Sequence, residues 1–428
     1  MRHFALALVI TALVTLGCTT EEPVTPDGSV AYIGATLFDG TGAPAVNNAV
    51  LVVKDGRVVA SGAADSVDIP AGAEQIDVSG KTIIPGLINA HGHVSDVSGL
   101  EGGHYDRENL LRQLSLYARY GVTTVNSLGG DGPEAVALRD AEDESLDRAR
   151  ITVAGAVVVG DTVEAVQAAV DENAAMNVDF IKIRVDDNLG TSTKMTPELY
   201  GAVIDRASEK GLKVASHLYY LEDAKGLLEA GTSFIAHSVR DEPIDDAFIS
   251  LMKEKDVCYC PTLTREVSTY VYESVPEWFE DPFFMKDADP AVLEQLKAPE
   301  RMQRIQESPA AAGYKRALAV AMPNLDKAAN GGVTIAFGTD TGPAGRFQGY
   351  FEHMELDMMA EAGMSPEQII RSATGDAARC LGFDSVGTLG SGKWADFIVL
   401  GENPLSDIKN MRTIESVWIA GNRVPDDT

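Results

Sequence analysis

Positive charge is scarce in this chain. Against 64 Asp plus Glu it carries 35 Lys plus Arg, a formal net charge of −29 over 428 residues. So acidic a surface repels phosphate backbones, which excludes nucleic acid as a partner. Cysteine is scarcer still: Cys18, Cys258, Cys260 and Cys380 cannot make a disulfide framework, and no Cys-x-x-Cys pair points to a zinc ribbon or redox motif. No Gly-x-Gly-x-x-Gly fingerprint follows the first barrel-type strand, which argues against a dinucleotide-binding open sheet. What is present is ordinary for a globular protein. With 45% apolar residues the chain can bury a large core over two or three domains, and 23% charged residues exclude wholesale disorder. Histidines number only seven, so their clustering is informative.

The first 17 residues read as an export signal: Arg2 and His3, an apolar run from Phe4 to Leu16, then Gly17. The run is short for a stable bilayer span, and small residues follow it. With Cys18 next, the stretch resembles a bacterial lipoprotein signal, which implies lipidation of Cys18 and a place in the cell envelope. Residues 18–30, rich in Glu, Pro and Thr at their start, suit a flexible tether. Membrane contact is expected through that anchor alone.

Short β-like runs fill residues 31–84, with Asp55-Gly56 as a hairpin turn. Residues 382–428 show the same style, with strands at Asp396 to Leu400 and Ser416 to Ala420 and a turn at Gly421-Asn422. The pattern predicts one small β-sandwich assembled from both ends. Between them, residues 85–381 alternate apolar strands with amphipathic helices. Strands are expected at 83–89, 123–127, 151–158, 180–185, 213–216, 233–236, 257–260 and 334–338. Helices are expected at 109–120, 162–176, 197–210 and 223–230. Eight βα units in this length predict an α/β fold of the (β/α)8 TIM-barrel type.

Chemistry in such a barrel belongs at the C-terminal ends of strands. His91-Gly92-His93 ends the first strand, and two histidines at i and i+2 of an extended segment point the same way and can share one metal ion. Lys182 lies between isoleucines in the fourth strand, where a charged amine is costly. Either a carboxylate such as Asp340 pairs with it, or its pKa is depressed for covalent chemistry. His217, His237 and Asp340 end the fifth, sixth and eighth strands.

The segments Ile83-Ile84-Pro85-Gly86-Leu87-Ile88-Asn89-Ala90-His91-Gly92-His93, Gly338-Thr339-Asp340-Thr341 and Gly392-Lys393-Trp394-Ala395-Asp396-Phe397-Ile398-Val399-Leu400, with Asn403-Pro404-Leu405, resemble the amidohydrolase superfamily. The resemblance is to its imidazolonepropionase-like and prolidase-like branch and covers about Tyr32 to Val424. It implies two divalent ions, most often zinc: His91, His93 and Asp340 at the buried ion, His217 and His237 at the other. Lys182 would be carboxylated by CO₂ to a bridging carbamate. Asp340 would take the proton of the attacking water and deliver it to the leaving amine. Tyr219 stands where prolidase-like relatives place an oxyanion-binding hydroxyl.

These expectations describe a peptidase or amidase acting on a small molecule, such as an Xaa-Pro or other dipeptide or an N-acyl amino acid. An ester, lactone or phosphotriester hydrolase on the same site is the alternative. A binding protein that has lost catalysis is disfavoured, because all six ligand positions are present. Arg346, Arg265 and His104 are candidate substrate contacts. The insertion at about 265–309 carries Tyr270, Tyr272, Trp278, Phe279, Phe283 and Phe284, and is expected either to cover the site or to pack on itself or on a second copy of the chain in a homo-oligomer. Cys258, Cys260 and Cys380 are expected to be small buried apolar side chains, and His353 to be structural.

Overall fold

The structure, a computed structural model, describes residues 28–141 and 145–426. The expected signal 1–17, Cys18 and the tether up to residue 27 lie outside the described residues. Among the described residues no helix is long and apolar enough to cross a membrane.

Five strands open the fold: β1 (Val30–Leu37), β2 (Val46–Lys54), β3 (Arg57–Ala63), β4 (Glu74–Asp77) and β5 (Thr82–Pro85). Asp55 and Gly56, at φ 49° and 72°, make the expected β2–β3 hairpin turn, since such a turn needs positive φ at both central residues. The expected strand at 83–89 is broken in two at Gly86. A Cβ there would fall 2.1 Å from Thr123 Oγ1, so only glycine lets the chain step from one sheet to the next.

The middle of the chain follows in parallel strands alternating with helices. Strands β6 (Leu87–Gly92), β7 (Val122–Ser127) and β8 (Arg150–Val153) form one sheet. Strands β9 (Phe180–Val185), β10 (Lys213–Leu218), β11 (Phe234–Ala236) and β12 (Cys258–Cys260) form another. The expected helices appear within two residues of their predicted limits, at Arg107–Arg119, Val163–Ala175, Pro197–Glu209 and Leu221–Ala230. Asp106, Thr162 and Thr196 cap three of them by accepting from the third amide onward. Two expected strands fall short by more than one residue. The third stops at Val153, although Val158 still bridges to Ile183. At 334–338 no continuous strand forms. Instead Ala336 N–H donates to Tyr259 O (2.9 Å) and Ala90 N–H donates to Phe337 O (2.8 Å), so this extended segment bonds both β12 and β6.

Strands β13 (Phe397–Leu400), β14 (Ile414–Ile419) and β15 (Asn422–Arg423) close the chain. They extend the first sheet in the order β15-β14-β13-β5-β1-β2-β3, with β4 beside β1. Strands from the two ends therefore share one hydrogen-bonded sheet, forked where β1 passes from β4 to β5. The final turn lies at Ala420-Gly421, one residue earlier than expected, because Asn422 pairs with Ile419. Asp396 ties this sheet to the middle: its buried carboxylate pairs with Arg150 of β8 at 2.8 Å and accepts from Ala420 N–H.

Two of the cysteines correct the sequence reading. Cys258 and Cys380 form a disulfide across 122 residues, joining β12 to the helix Gly375–Leu381, while Cys260 remains a buried thiol. Neither partner is marked by local spacing, so only the packed fold brings them together. Reduction, or Cys380→Ser, is expected to lower stability by about 4–5 kcal/mol on the chain-entropy account of so long a loop. Thermal unfolding with and without reductant checks this, and coincident melting curves would contradict it.

Candidate metal centre

His91, His93, His217 and His237 lie at the C-terminal ends of β6, β10 and β11 or just beyond them, Lys182 lies within β9, and Asp340 follows the extended segment 334–338. Asn89 Oδ1 accepts the His91 backbone N–H at 3.0 Å, fixing the end of β6. The segment at 334–338 approaches that end closely, because a Cβ on Gly338 would fall 2.8 Å from His91 N and 2.5 Å from Cys260 Sγ. Asp340 thereby reaches both imidazoles. His93 Nε2 lies 2.8 Å, and His91 Nε2 3.4 Å, from Asp340 Oδ1.

The tautomers make this informative. His93 Nδ1 lies 3.1 Å from the Gly129 carbonyl, which can only accept, so Nδ1 carries the proton and Nε2 presents a lone pair to the carboxylate. Two acceptors facing each other at 2.8 Å require a cation or an added proton between them. The ligand atoms of His91, His93 and Asp340 lie within 4.8 Å of one another, so the donor set fits a divalent ion.

Lys182, His217 and His237 complete the cluster. Lys182 is 4% exposed, with Nζ 3.1 Å from His91 Nε2. The His237 ring centroid lies 4.6 Å from that of His91 and 4.1 Å from that of His217. Asp186, just past β9, was not singled out from sequence; it accepts from His217 Nε2 at 2.7 Å, which leaves Nδ1 free as a ligand atom. His237 Nδ1 meets Thr262 Oγ1 at 2.7 Å. His237, Thr262 and Asp340 all adopt left-handed backbone, at φ 73°, 47° and 60°. Strain of this kind gathers at functional sites, and a β-branched Thr262 bears it least readily.

Burial governs the electrostatics. It pushes the His91 and His237 imidazoles well below their ordinary range and lowers His217 to about 3 against the pull of Asp186. Burial also lowers the Lys182 amine to about 8. For Asp340, burial pushes the pKa up, but Arg346 and the imidazoles outweigh it and hold the carboxyl well below the usual range. The site thus offers neutral imidazoles, a carboxylate and a partly deprotonated amine, which are the forms that bind metal or attack an electrophile.

The remaining candidates are placed differently. Tyr219 lines a cleft of about 740 Å³ together with Leu189, Arg240, Tyr314 and Arg316. Arg346, instead of standing free, donates to both the side chain and the backbone carbonyl of Asp340. Arg265 is buried between Glu266 and Tyr314, so it is engaged in the fold. His104 is exposed. Tyr272, Trp278, Phe279, Phe283 and Phe284 of the insertion form a cluster with Tyr120, Tyr350 and Phe351, so their apolar surface is used in packing, while Tyr270 lies outside it with Lys315 over its ring. His353 is buried and donates to Tyr120 O at 2.9 Å, as a structural histidine should. Behind His217, Asp186 adjoins the buried Arg240, which pairs with Glu266 at 2.9 Å. Nothing in the sequence distinguishes these charges from solvated ones.

A buried neutral imidazole binds fewer protons than its counterpart in the unfolded chain. Its acid penalty therefore begins below the ordinary 6.5 and grows until about 3. In metal-free protein the His217 ring resonances should accordingly keep their neutral positions from pH 8 down to 5. A titration midpoint near 6.5 would show that the ring is solvated.

Comparison with known proteins identifies the family. A profile of the amidohydrolase family matches residues 82–424. An ochratoxinase from Aspergillus niger is 28% identical over 282 residues, covering 63% of this chain and 51% of that protein, so the chain spans about half the length of that curated relative. A solved structure from Bifidobacterium longum, provisionally assigned as a prolidase, superposes with a TM-score of 0.73 at 26% identity, covering 94% of this chain and 95% of its own. A Xaa-Pro dipeptidase solved with bound methionine shares the fold, with a TM-score of 0.74 at 24% identity over 92% of this chain and 99% of its own. With the profile running from β5 to the last strands and through every residue of the cluster, the chain belongs to the amidohydrolase family.

Proposed function

We propose that the chain is a binuclear metal-dependent hydrolase that cleaves an amide C–N bond, in an Xaa-Pro-type or other dipeptide or in an N-acyl amino acid. The observation that supports this most is the acceptor-to-acceptor contact of His93 Nε2 with Asp340 Oδ1, surrounded by His91, Lys182, His217 and His237. His91, His93 and Asp340 would hold one ion, His217 and His237 the other, with zinc as the expected metal. Bound there, such ions polarise a carbonyl and lower the pKa of water toward about 7.

The chain's own residues do the rest. The neutral fraction of the Lys182 amine would add to CO₂ and lose a proton, giving an anionic carbamate that could serve as a further ligand. Asp340 takes the proton of the attacking water and hands it to the departing nitrogen. Arg346 holds one oxygen of that carboxylate while the other faces the imidazoles. Tyr219 would donate to the developing oxyanion from the wall of the adjoining cleft, whose lining receives the acyl or amine portion. The name of the Bifidobacterium relative supports a peptide-like amide.

The parallel strands are read as closing a (β/α)8 barrel over residues 85–381, supported by the bonds that carry β12 through 334–338 to β6. The fork at β1 suits folding of residues 31–84 and 382–428 into a sandwich. An exported, lipid-tethered protein of the bacterial envelope is the proposed setting, and the Cys258–Cys380 bridge suits an oxidising compartment.

Zinc-loaded protein should hydrolyse members of a dipeptide and N-acyl amino acid panel in preference to lactones and phosphotriesters; the reverse ranking would overturn the amide assignment. Asp340→Asn should reduce turnover by roughly 10²–10⁴-fold, the scale of a lost general acid–base group. Lys182→Ala should lower the bound metal per chain. Full occupancy by elemental analysis would remove the carbamate from the scheme.

A further inference from the structure

The helix Tyr350–Glu361 carries two fully buried carboxylates, Glu352 and Glu355, that the proposed chemistry does not use. Glu352 Oε1 accepts from Asn89 Nδ2 (2.7 Å), Thr339 Oγ1 (2.7 Å) and Thr341 Oγ1 (2.6 Å), and its Oε2 accepts Gly349 N–H (2.6 Å). These donors surround one half of the cluster. Thr339 and Thr341 flank Asp340, and Asn89 is the residue that accepts the His91 N–H.

Glu355 does the same for a different turn. Its Oε1 accepts Leu263 N–H (2.7 Å), and its Oε2 accepts Thr264 N–H (2.7 Å) and Thr264 Oγ1 (2.8 Å). Those two residues follow Thr262, whose hydroxyl meets His237 Nδ1. Thr264 Oγ1 also reaches Thr339 O at 3.1 Å, so the two anchored turns touch.

Both turns bear a non-glycine residue in left-handed backbone, Asp340 at φ 60° and Thr262 at φ 47°. Such conformations persist only where the surroundings over-determine them. Burial raises the pKa of both carboxyl groups, that of Glu355 to about 8, and an apolar helix face would pack without that cost. The geometry they serve is that of the two strained turns.

We propose that Glu352 and Glu355 are positioning residues that divide the ligand set between them. Glu352 fixes the His91–His93–Asp340 half through Asn89 and the Asp340 turn, and Glu355 fixes the His237 half through the Thr262 turn. The inference rests on the reading of the cluster as a two-cation centre.

The test is a cobalt(II) titration of metal-free protein, followed by visible absorption, with thermal melting recorded in parallel. Wild type should take up two tight equivalents. Glu352→Gln and Glu355→Gln should each keep one tight equivalent and weaken the other by roughly 10–100-fold, the range seen when a partner behind a ligand is removed. The two should show different spectral changes, and the double variant should keep no tight equivalent. Wild type that takes up no cobalt would overturn the two-cation reading itself. Wild type with two equivalents, beside single variants that keep both with the wild-type spectrum, would overturn only the positioning role, even if they melt lower. Should either Gln variant fail to fold, Thr341→Val and Thr264→Val each remove one donor from one carboxylate. Smaller weakening of one equivalent is then expected, and unchanged affinity for both equivalents would count against the proposal.

Discussion

Lone pairs forced together in a dry place are what the rest of this structure depends on. Burial keeps His91, His217 and His237 uncharged, and Arg346 keeps Asp340 ionised. The Gly129 carbonyl and the Asp186 carboxylate each accept a hydrogen bond from a ring N–H, so the opposite nitrogens of the neutral His93 and His217 rings have only lone pairs to offer. Repulsion between His93 Nε2 and Asp340 Oδ1 at 2.8 Å is removed by a cation or an added proton, and the surrounding fold holds the two groups in place.

Much of that fold consists of turns at strand ends that would not hold by themselves. Asp340, His237 and Thr262 sit in left-handed backbone; Asp340 N–H donates to His91 O at 2.6 Å, and the His237 ring meets the Thr262 hydroxyl. Gly338 lets its segment approach the end of β6 closely enough for Asp340 to reach the imidazoles. Farther out, the Arg150–Asp396 pair and the Cys258–Cys380 bridge fasten distant parts of the chain to the strands that carry the site.

Substrate recognition follows from where apolar surface remains. The aromatic insertion buries most of its rings against Tyr120, Tyr350 and Phe351. A cleft of about 740 Å³ lies on the side of Tyr219, between the residues after β9 and the helix Pro309–Asn330, and a second of about 360 Å³ lies between Arg346 and the insertion residues Asp287, Asp289 and Val292. Under the proposed reading, specificity is a property of the larger cleft, with Leu189 and Tyr314 on its walls and Arg316 at hand for a negative group.

The sequence alone determined which residues could carry chemistry. Period-two alternation and strand-end position expose His91, His93, Lys182, His217, His237 and Asp340, because a buried strand tolerates polar residues only where they have a task. The helix limits were legible for the same local reason, through caps such as Asp106 and Thr162. Only the tertiary structure decided the partners. Asp186, Glu352 and Glu355 look like any solvated carboxylate in the one-dimensional pattern, and Cys258 and Cys380 like two unrelated small residues. Arg346 and Arg265 read as free cations until packing set each against an anion. A residue's own chemistry is written in its type and its place on a strand. The neighbour that completes it is fixed only when segments far apart in the chain are packed together.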